Sequence, residues 1–477
     1  MCGICGFTGY RQDQKTVIER MMKAIEHRGP DSEGSFCREK ITLGFRRLSI
    51  IDLEDGQQPM ESADGNLHIV FNGEIYDYKE LRAELEAFGI SFCTHSDTEV
   101  LINTIQQYGE KALDKLRGMF GFAVWNEKEQ TLMLARDFFG IKPVYYAEID
   151  GHFVFASEIK SILAFPGYER KVNQKALEQY LSFQYSPLEE TFFKGIYKLM
   201  PGHMLLYKNG SYEIKTYFKP KLTPGQWNHK TNMAQLRSQL SEILKDSVKH
   251  HMLSDVEVGA FLSGGVDSGY LASSSGADQA FTVGFDEGDR YSEVNKAAKV
   301  AEKAGLKHHV KIISKQEFWD ALPDVMYHMD EPLGDASAVA LYFLSKEAAG
   351  HVKVVLSGEG ADELFGGYNI YREPEALKKV AWIPFVLRRA VRKLAAKLPD
   401  VKGRDFLIRA GMKVEERFIG NAYIYREKEK AQILKNKVTG PSTQEYLRPF
   451  FKELESENRE SLQDMEKMQS VDLSYWL

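Results

Sequence analysis

The chain has 477 residues, 43% of them hydrophobic, with 62 basic against 68 acidic side chains and a net charge of -6. That length exceeds one compact core, so at least two domains are expected, and the evenly mixed charge offers no basic field for a nucleic-acid backbone. No apolar run approaches the roughly 18 residues that span a bilayer, the N-terminus lacks a signal-like core, and the four cysteines (Cys2, Cys5, Cys37, Cys93) suit a reducing compartment. The expectation is a cytoplasmic protein that handles small molecules, with no nucleic-acid or membrane partner.

The chain opens Met1-Cys2-Gly3-Ile4-Cys5-Gly6. Removal of Met1 would leave Cys2 as the N-terminus, where an α-amine titrating at about 7.7 to 8.0 can serve as base for its own thiol. No second CxxC pair or HxxxH partner follows, so Cys5 reads as a packing residue and not as half of a metal site. Helical spacing predicts a helix over Val17 to Ile25. Arg47, in Arg46-Arg47-Leu48-Ser49-Ile50-Ile51-Asp52, has the planar fork that grips a carboxylate.

A strand is expected from Leu67 to Phe71, followed by Asn72-Gly73-Glu74. An asparagine amide and a glycine N–H can hold an oxyanion together; the same Asn-Gly pair can also be a plain hairpin turn. Asp97, in Ser96-Asp97-Thr98-Glu99, can pair with an α-ammonium, or it can cap the helix expected from Thr98 to Tyr108. Strands at Thr131 to Ala135 and His152 to Ala156, and a hairpin turning at Asn209-Gly210 between His203 to Tyr207 and Ser211 to Phe218, complete an α+β sandwich.

Lys219-Pro220-Lys221-Leu222-Thr223-Pro224-Gly225 is rich in breakers and marks a linker at 219–232 between segments 1–218 and 233–477. Beyond it, buried strands at Val256 to Leu262, Ala280 to Phe285, His309 to Ile313 and Val352 to Leu356 alternate with helices such as Glu293 to Ala304. That alternation predicts a parallel α/β sheet with its ligand at the strands' carboxyl ends.

The first strand runs into Ser263-Gly264-Gly265-Val266-Asp267-Ser268 and then a helix, an order that cradles polyphosphate on backbone N–H groups, and Asp267 calls for a bridging cation such as Mg²⁺. The loop lacks the Gly-Lys-Ser/Thr ending of a Walker A motif, so γ-phosphate transfer is not expected. Ser357-Gly358-Glu359-Gly360-Ala361-Asp362-Glu363 follows another strand and should emerge on the same edge, and Asp330-Glu331-Pro332-Leu333-Gly334-Asp335 is a further acidic loop. The His250-His251 and His308-His309 pairs lack ligand spacing on one helix face and read as surface or packing residues. The stripe Leu387, Val391, Leu394 and Leu398, flanked by Arg388, Arg389, Arg392 and Lys393, reads as a helix packed on its own domain rather than on a membrane.

The first five motifs together (Met1 to Gly6, His27-Arg28-Gly29-Pro30-Asp31, Arg47 to Asp52, Asn72-Gly73-Glu74-Ile75-Tyr76 and Ser96 to Glu99) resemble the class II glutamine amidotransferase domain of the N-terminal-nucleophile hydrolases. The resemblance implies an αββα sandwich. In it Cys2 would attack the glutamine side-chain amide, Asn72 and Gly73 would form the oxyanion hole, and Arg47, Leu48, Ser49, Ile50, Ile51, Asn72, Gly73, Glu74 and Asp97 would bind glutamine. Arg136 to Pro143 and Ala156 to Lys160 match as framework.

The second half resembles the PP-loop ATP pyrophosphatases. That likeness implies ATP and pyrophosphate contacts from Phe261, Ser263, Gly264, Gly265, Asp267, Ser268, Val283, Ser357 and Gly358, Mg²⁺ on Asp267 and Asp362, and a catalytic Glu359. The two halves in this order are the layout of the glutamine-hydrolysing asparagine synthetases: aspartate would be adenylated by ATP, and ammonia from glutamine would displace AMP. The family's synthetase domain continues past the point matching Val471 to Leu477, so the chain reads as C-terminally truncated. A relative amidating another carboxylate and a glutaminase with an inert synthetase half stay open, as does a homodimer.

Overall fold

The computed structural model describes residues 1–222, 232–286, 293–421, 423–435, 440–457 and 462–476. Most of the expected linker, residues 223–231, lies outside the described residues, as does Leu477. The strands are β1 Gly3–Thr8, β2 Ser32–Cys37, β3 Ile41–Arg47, β4 Met60–Glu61, β5 Leu67–Ile75, β6 Gly118–Asn126, β7 Thr131–Arg136, β8 Tyr145–Ile149, β9 His152–Ala156, β10 Ile196–Lys198, β11 His203–Lys208 and β12 Ser211–Thr216, then β13 Val258–Phe261, β14 Gln279–Phe285, β15 Lys307–Ile313 and β16 Val354–Leu356.

Two six-stranded antiparallel sheets, ordered β10-β8-β9-β1-β3-β2 and β12-β11-β7-β6-β5-β4, stack face to face. Between them Ile4, Leu43 and Phe45 meet Val70, Trp125 and Leu134, each fully or almost fully buried and each stabilising the fold by about 1.5–3 kcal/mol. The outer faces are covered by helices. Gln14–Ala24 lays Val17, Ile18, Met21 and Met22 against Cys5 and Phe7, while Tyr78–Ala87 and Asp97–Tyr108 cover the other sheet through Leu81, Leu85, Val100 and Leu101. The architecture is the expected αββα sandwich. At the Asn209-Gly210 turn, φ values of 51° and 80° allow the two-residue hairpin that registers Lys208 against Ser211.

The third sheet is parallel, ordered β15-β14-β13-β16. Helices Val266–Ser274 and Val294–Ala304 pack through Ala272, Ala297 and Ala301, and helix Ser337–Ala349 packs through Ala348 against Phe281 and Val352. Chain order reverses between β13 and β16, and in such sheets the crevice beyond the strands' carboxyl ends at the reversal takes the ligand.

By contact, the chain divides into two compact units: one of Met1–Asn173, Glu189–Lys219 and Asn232–Gly358, the other of Gln174–Leu188, Pro220–Thr231 and Glu359–Leu477. All three sheets belong to the first. The second is helical around Phe183, Tyr371, Phe418, Leu447, Phe451 and Met468. In its interior Tyr371 donates to the buried Asp472 carboxylate at 2.6 Å, and Arg417 pairs with Glu373 at 2.8 Å and Asp464 at 2.7 Å.

One expectation fails in this unit. On helix Phe385–Ala395 the stripe faces solvent, with Leu387 56% and Leu394 67% exposed. The side that docks is the basic one: Arg388 donates to the Ala410 carbonyl at 3.1 Å and Arg389 pairs with Glu416 at 2.6 Å. Hydrophobic periodicity identifies a helix but not which face meets its neighbour. Among the described residues no helix is long and apolar enough to cross a membrane.

Candidate active site

β1 is buried along its whole length between β3 and β9, and Cys2 stands at its start. Only glycine fits at Gly6, where a Cβ would lie 2.6 Å from the Thr42 carbonyl oxygen. The Cys2 thiol emerges into a small cavity of about 50 Å³ and accepts from the Leu48 N–H at 3.4 Å, while the Cys2 carbonyl accepts from Arg28 Nε at 2.9 Å. Met1 also lines the mouth of this cavity, its sulfur accepting from Lys142 Nζ at 3.1 Å.

Of the residues expected to bind glutamine, Arg47, Leu48, Ile50, Ile51, Asn72, Gly73, Glu74 and Asp97 line the same cavity. Ser49 does not; its N–H donates to Asp31 at 2.9 Å. Asn72-Gly73-Glu74 is not a turn, because the three residues sit inside β5, paired with Gly121, Phe120 and Met119 of β6. A Cβ at Gly73 would lie 2.2 Å from the Met119 carbonyl oxygen, so close strand packing requires glycine. The Asn72 side-chain Nδ2 is buried and has no hydrogen-bond partner among the described residues. An orphaned buried donor costs about 1–3 kcal/mol, a cost that an oxyanion placed there would remove.

Helix capping falls to Ser96 and not to its neighbour. Ser96 caps the helix by accepting from the Glu99 N–H at 3.2 Å, which leaves the Asp97 carboxylate to accept from the Ile75 N–H at 3.1 Å and face the cavity. Arg47 donates to the carbonyls of Ile51, Asp52 and Leu53, so its fork also shapes the loop that closes the cavity.

Burial dominates the electrostatics. It pushes Asp97 up to about 6, against the Ile75 N–H, and Glu74 up to about 7, where Lys142 opposes it and Asp97 adds repulsion. Burial lowers Lys142 and the Met1 ammonium, the latter to about 5, and raises the Cys2 thiol. The Met1 amine is therefore neutral, and able to accept a proton, at pH 7.

Lys142, Gln58 and Arg28 are at or beside the cavity and were not expected there. Gln58 locks β5 by accepting from the Phe71 N–H and donating to the Phe71 carbonyl and Thr98. The available signal for Lys142 was a lysine enclosed by Gly140 and Pro143, a rigid setting unusual for a solvated cation.

At the parallel sheet, the loop after β13 is tied by a Ser263–Ser268 hydroxyl contact of 2.9 Å, and Gly264 adopts φ 77° where a Cβ would meet Lys296 at 2.7 Å. Gly265 precedes helix Val266–Ser274, whose first N–H groups have no side-chain cap. Asp267 lies in that first turn, exposed and with no partner among the described residues. Ser357 and Gly358 follow β16; a Cβ at Gly358 would lie 3.2 Å from the Ser268 nitrogen, so the two loops abut. Phe261 ends β13 and Val283 lies in β14. Glu359 and Asp362 belong to the second unit.

The acidic loop at 330–335 is a structural tie. Asp330 accepts from the Ile159 N–H at 2.7 Å and pairs with Lys160 at 2.9 Å; Glu331 accepts from the Phe192 N–H at 2.7 Å; Asp335 accepts from the Ser337 N–H at 2.9 Å. Lys160 also pairs with Glu158, which meets Arg28 at 2.7 Å and His27 at 3.0 Å.

Residues 1–218 match the family model described as a glutamine amidotransferase domain, and residues 239–477 match the one described as asparagine synthase. The chain is 43% identical, over 99% of its length and 76% of the relative's, to asparagine synthetase [glutamine-hydrolyzing] 1 of Bacillus subtilis. It is 32% identical to asparagine synthetase [glutamine-hydrolyzing] 3 of the same organism, over 80% of this chain and 66% of that one. It is also 32% identical to amidase chry2 of Gibberella zeae, over 78% of this chain and 60% of that one.

Proposed function

Since the chain belongs to the glutamine-hydrolysing asparagine synthetases, we propose that it makes asparagine from aspartate, ATP and glutamine, with residues 1–218 acting as glutaminase and 233–477 as the adenylating segment. With Met1 removed, the Cys2 thiol gives its proton to its own α-amine and attacks the side-chain carbonyl of glutamine. Asn72 Nδ2 and the Gly73 N–H receive the developing oxyanion, the amine returns the proton to the leaving ammonia, and water then hydrolyses the thioester to glutamate. Asp97 and Glu74 meet the α-ammonium, and Arg47 meets the α-carboxylate. The observation that carries this half is the unpartnered, buried Asn72 amide in the cavity that the Cys2 thiol enters.

In the second half the β-carboxylate of aspartate attacks the α-phosphorus of ATP, expelling pyrophosphate, and ammonia displaces AMP from β-aspartyl-AMP. Ser263, Gly264, Gly265 and Ser268 cradle the pyrophosphate on the uncapped helix start, with Ser357 and Gly358 beside them; Phe261 and Val283 flank the adenosine, and Glu359 supports ammonia attack. Asp267 and Asp362 would hold Mg²⁺: their hard carboxylate oxygens suit it, and Asp267 is exposed without a partner beside the loop. The ion would supply charge neutralisation to the phosphates. The reaction belongs in the cytoplasm, where Cys2 stays reduced.

The test is to incubate the protein with glutamine, aspartate, ATP and Mg²⁺ and to follow glutamate, pyrophosphate and asparagine separately. Equal amounts of pyrophosphate and asparagine, both dependent on aspartate, are the expected result. Glutamate alone would mean an inert second half, and pyrophosphate released without aspartate would mean another acceptor. Cys2→Ala should abolish glutamine-dependent turnover while leaving any ammonia-dependent synthesis intact.

A further inference from the structure

At the amino end of the parallel sheet, away from the nucleotide loops, three side chains from separate stretches of sequence converge. His309 lies on the edge strand β15. Glu347 is in the last turn of helix Ser337–Ala349, and His351 follows one turn later, so both project from the same side of the helix end. One ligand atom from each of the three lies within 4.8 Å of the others. The two imidazole rings are 4.0 Å apart between centroids, and Glu347 Oε1 is 3.6 Å from His351 Nε2. Among the described residues this is the one such group of three or more.

The surroundings are built as the outer layer of a metal site. His309 Nε2 donates to Gln279 Oε1 at 2.8 Å, and Gln279 Nε2 donates in turn to Glu257 at 2.6 Å. With Nε2 carrying the proton, the lone pair of Nδ1 is left free, and the chain of hydrogen bonds fixes the ring's orientation. Phe281 stacks on His309 at 5.0 Å and lies 5.8 Å from His351, giving the pair an apolar floor.

We propose that His309, Glu347 and His351 form a binding site for a Zn²⁺-type dication that clamps the end of helix Ser337–Ala349 to the edge strand. Two imidazoles and one carboxylate are the donor set of zinc, whereas Mg²⁺ favours all-oxygen sites. Ligand atoms about 2.1 Å from a tetrahedral ion stand roughly 3.4 Å apart, so side-chain rotations that close the widest pair by up to about 1.4 Å bring the three donors to the ion, and a water would take the fourth position. The site is structural, because parallel sheets carry their chemistry at the opposite ends of the strands. The clamped helix leads directly into β16, which ends at the Ser357–Gly358 loop, so the ion would stiffen the support of that loop.

The experiment uses the full chain with Cys2→Ala and Cys93→Ala, which keeps the cavity thiol and the exposed thiol from competing, stripped with chelator and titrated with Zn²⁺ in excess Mg²⁺ by calorimetry, with Co²⁺ absorption spectra as a second readout. One equivalent should bind, giving the Co²⁺ spectrum of a nitrogen and oxygen site. His309→Ala with His351→Ala should abolish it, and Gln279→Leu, which removes only the outer hydrogen bond, should weaken it about tenfold. If the double variant does not fold, Glu347→Gln at the half-exposed helix end serves in its place and should weaken binding at least tenfold. Zn²⁺ binding that is absent, or unchanged in these variants, would overturn the proposal and leave a packed pair of rings.

Discussion

At the scale of single residues, the consequences are sharpest around Cys2. Asn72→Ala removes the orphaned donor without touching the nucleophile, so kcat for glutamine hydrolysis should fall by about 10²–10³ while KM changes little; an unchanged kcat would show that the amide does not meet the oxyanion. Asp97 supplies a pH dependence. Its carboxyl is raised to about 6 and that of Glu74 to about 7 by burial, and only the ionised forms attract an α-ammonium, so KM for glutamine should climb as pH falls from about 7 through 6 and level off above about 7. A pH profile of KM that is equally steep in Asp97→Asn would assign the effect to another group. That Ser96 caps while the Asp97 carboxylate turns to the Ile75 N–H was not legible in the sequence, since either residue type can cap a helix.

At the scale of elements, the loops were readable as motifs and their backbone demands explain the residues chosen. Gly264 holds φ 77° with no room for a Cβ, so Gly264→Ala should distort the loop at a cost of about 1–3 kcal/mol; pyrophosphate release should fall sharply while glutaminase activity is kept. Equal loss of both activities would mean that the fold, not the loop, had failed. Asn72-Gly73 was ambiguous because a turn and a strand interior both accept these residues, and only the pairing of β5 with β6 decided between them. The leucine stripe on helix Phe385–Ala395 shows the opposite limit: its period was right, and the face that docks was not, because arginines bonded to carbonyl and carboxylate partners hold the basic side inward.

At the scale of the first unit, the buried cluster Arg28–Glu158–Lys160–Asp330 ties the glutaminase sheets to the segment before helix Ser337–Ala349. Burial alone would raise the Glu158 carboxyl, yet His27, Arg28 and Lys160 together hold it far below the usual glutamate range. A carboxyl depressed on folding stabilises the fold above its unfolded value and loses that contribution as pH falls. Glu158→Gln takes the carboxylate from the buried Arg28, while Lys160 keeps Asp330, and should cost about 3 kcal/mol at pH 7. Its thermal midpoint should also depend less on pH between 3 and 5 than the parent's; parallel pH curves would show that Glu158 carries no such linkage.

Local matters were legible along the chain: the alternation that makes sandwich and parallel sheet, the Asn209-Gly210 turn, the cysteine at position 2 and the glycine-rich loop after β13. Each depends on backbone preferences and on residues a few positions apart. Folding in three dimensions was needed to bring Lys142 to the Cys2 cavity, Asp330 and Glu331 to the Ile159 and Phe192 N–H groups, and His309 to Glu347 and His351. Those outcomes depend on which distant side chains share a buried, weakly screened space, and no spacing along the chain encodes that.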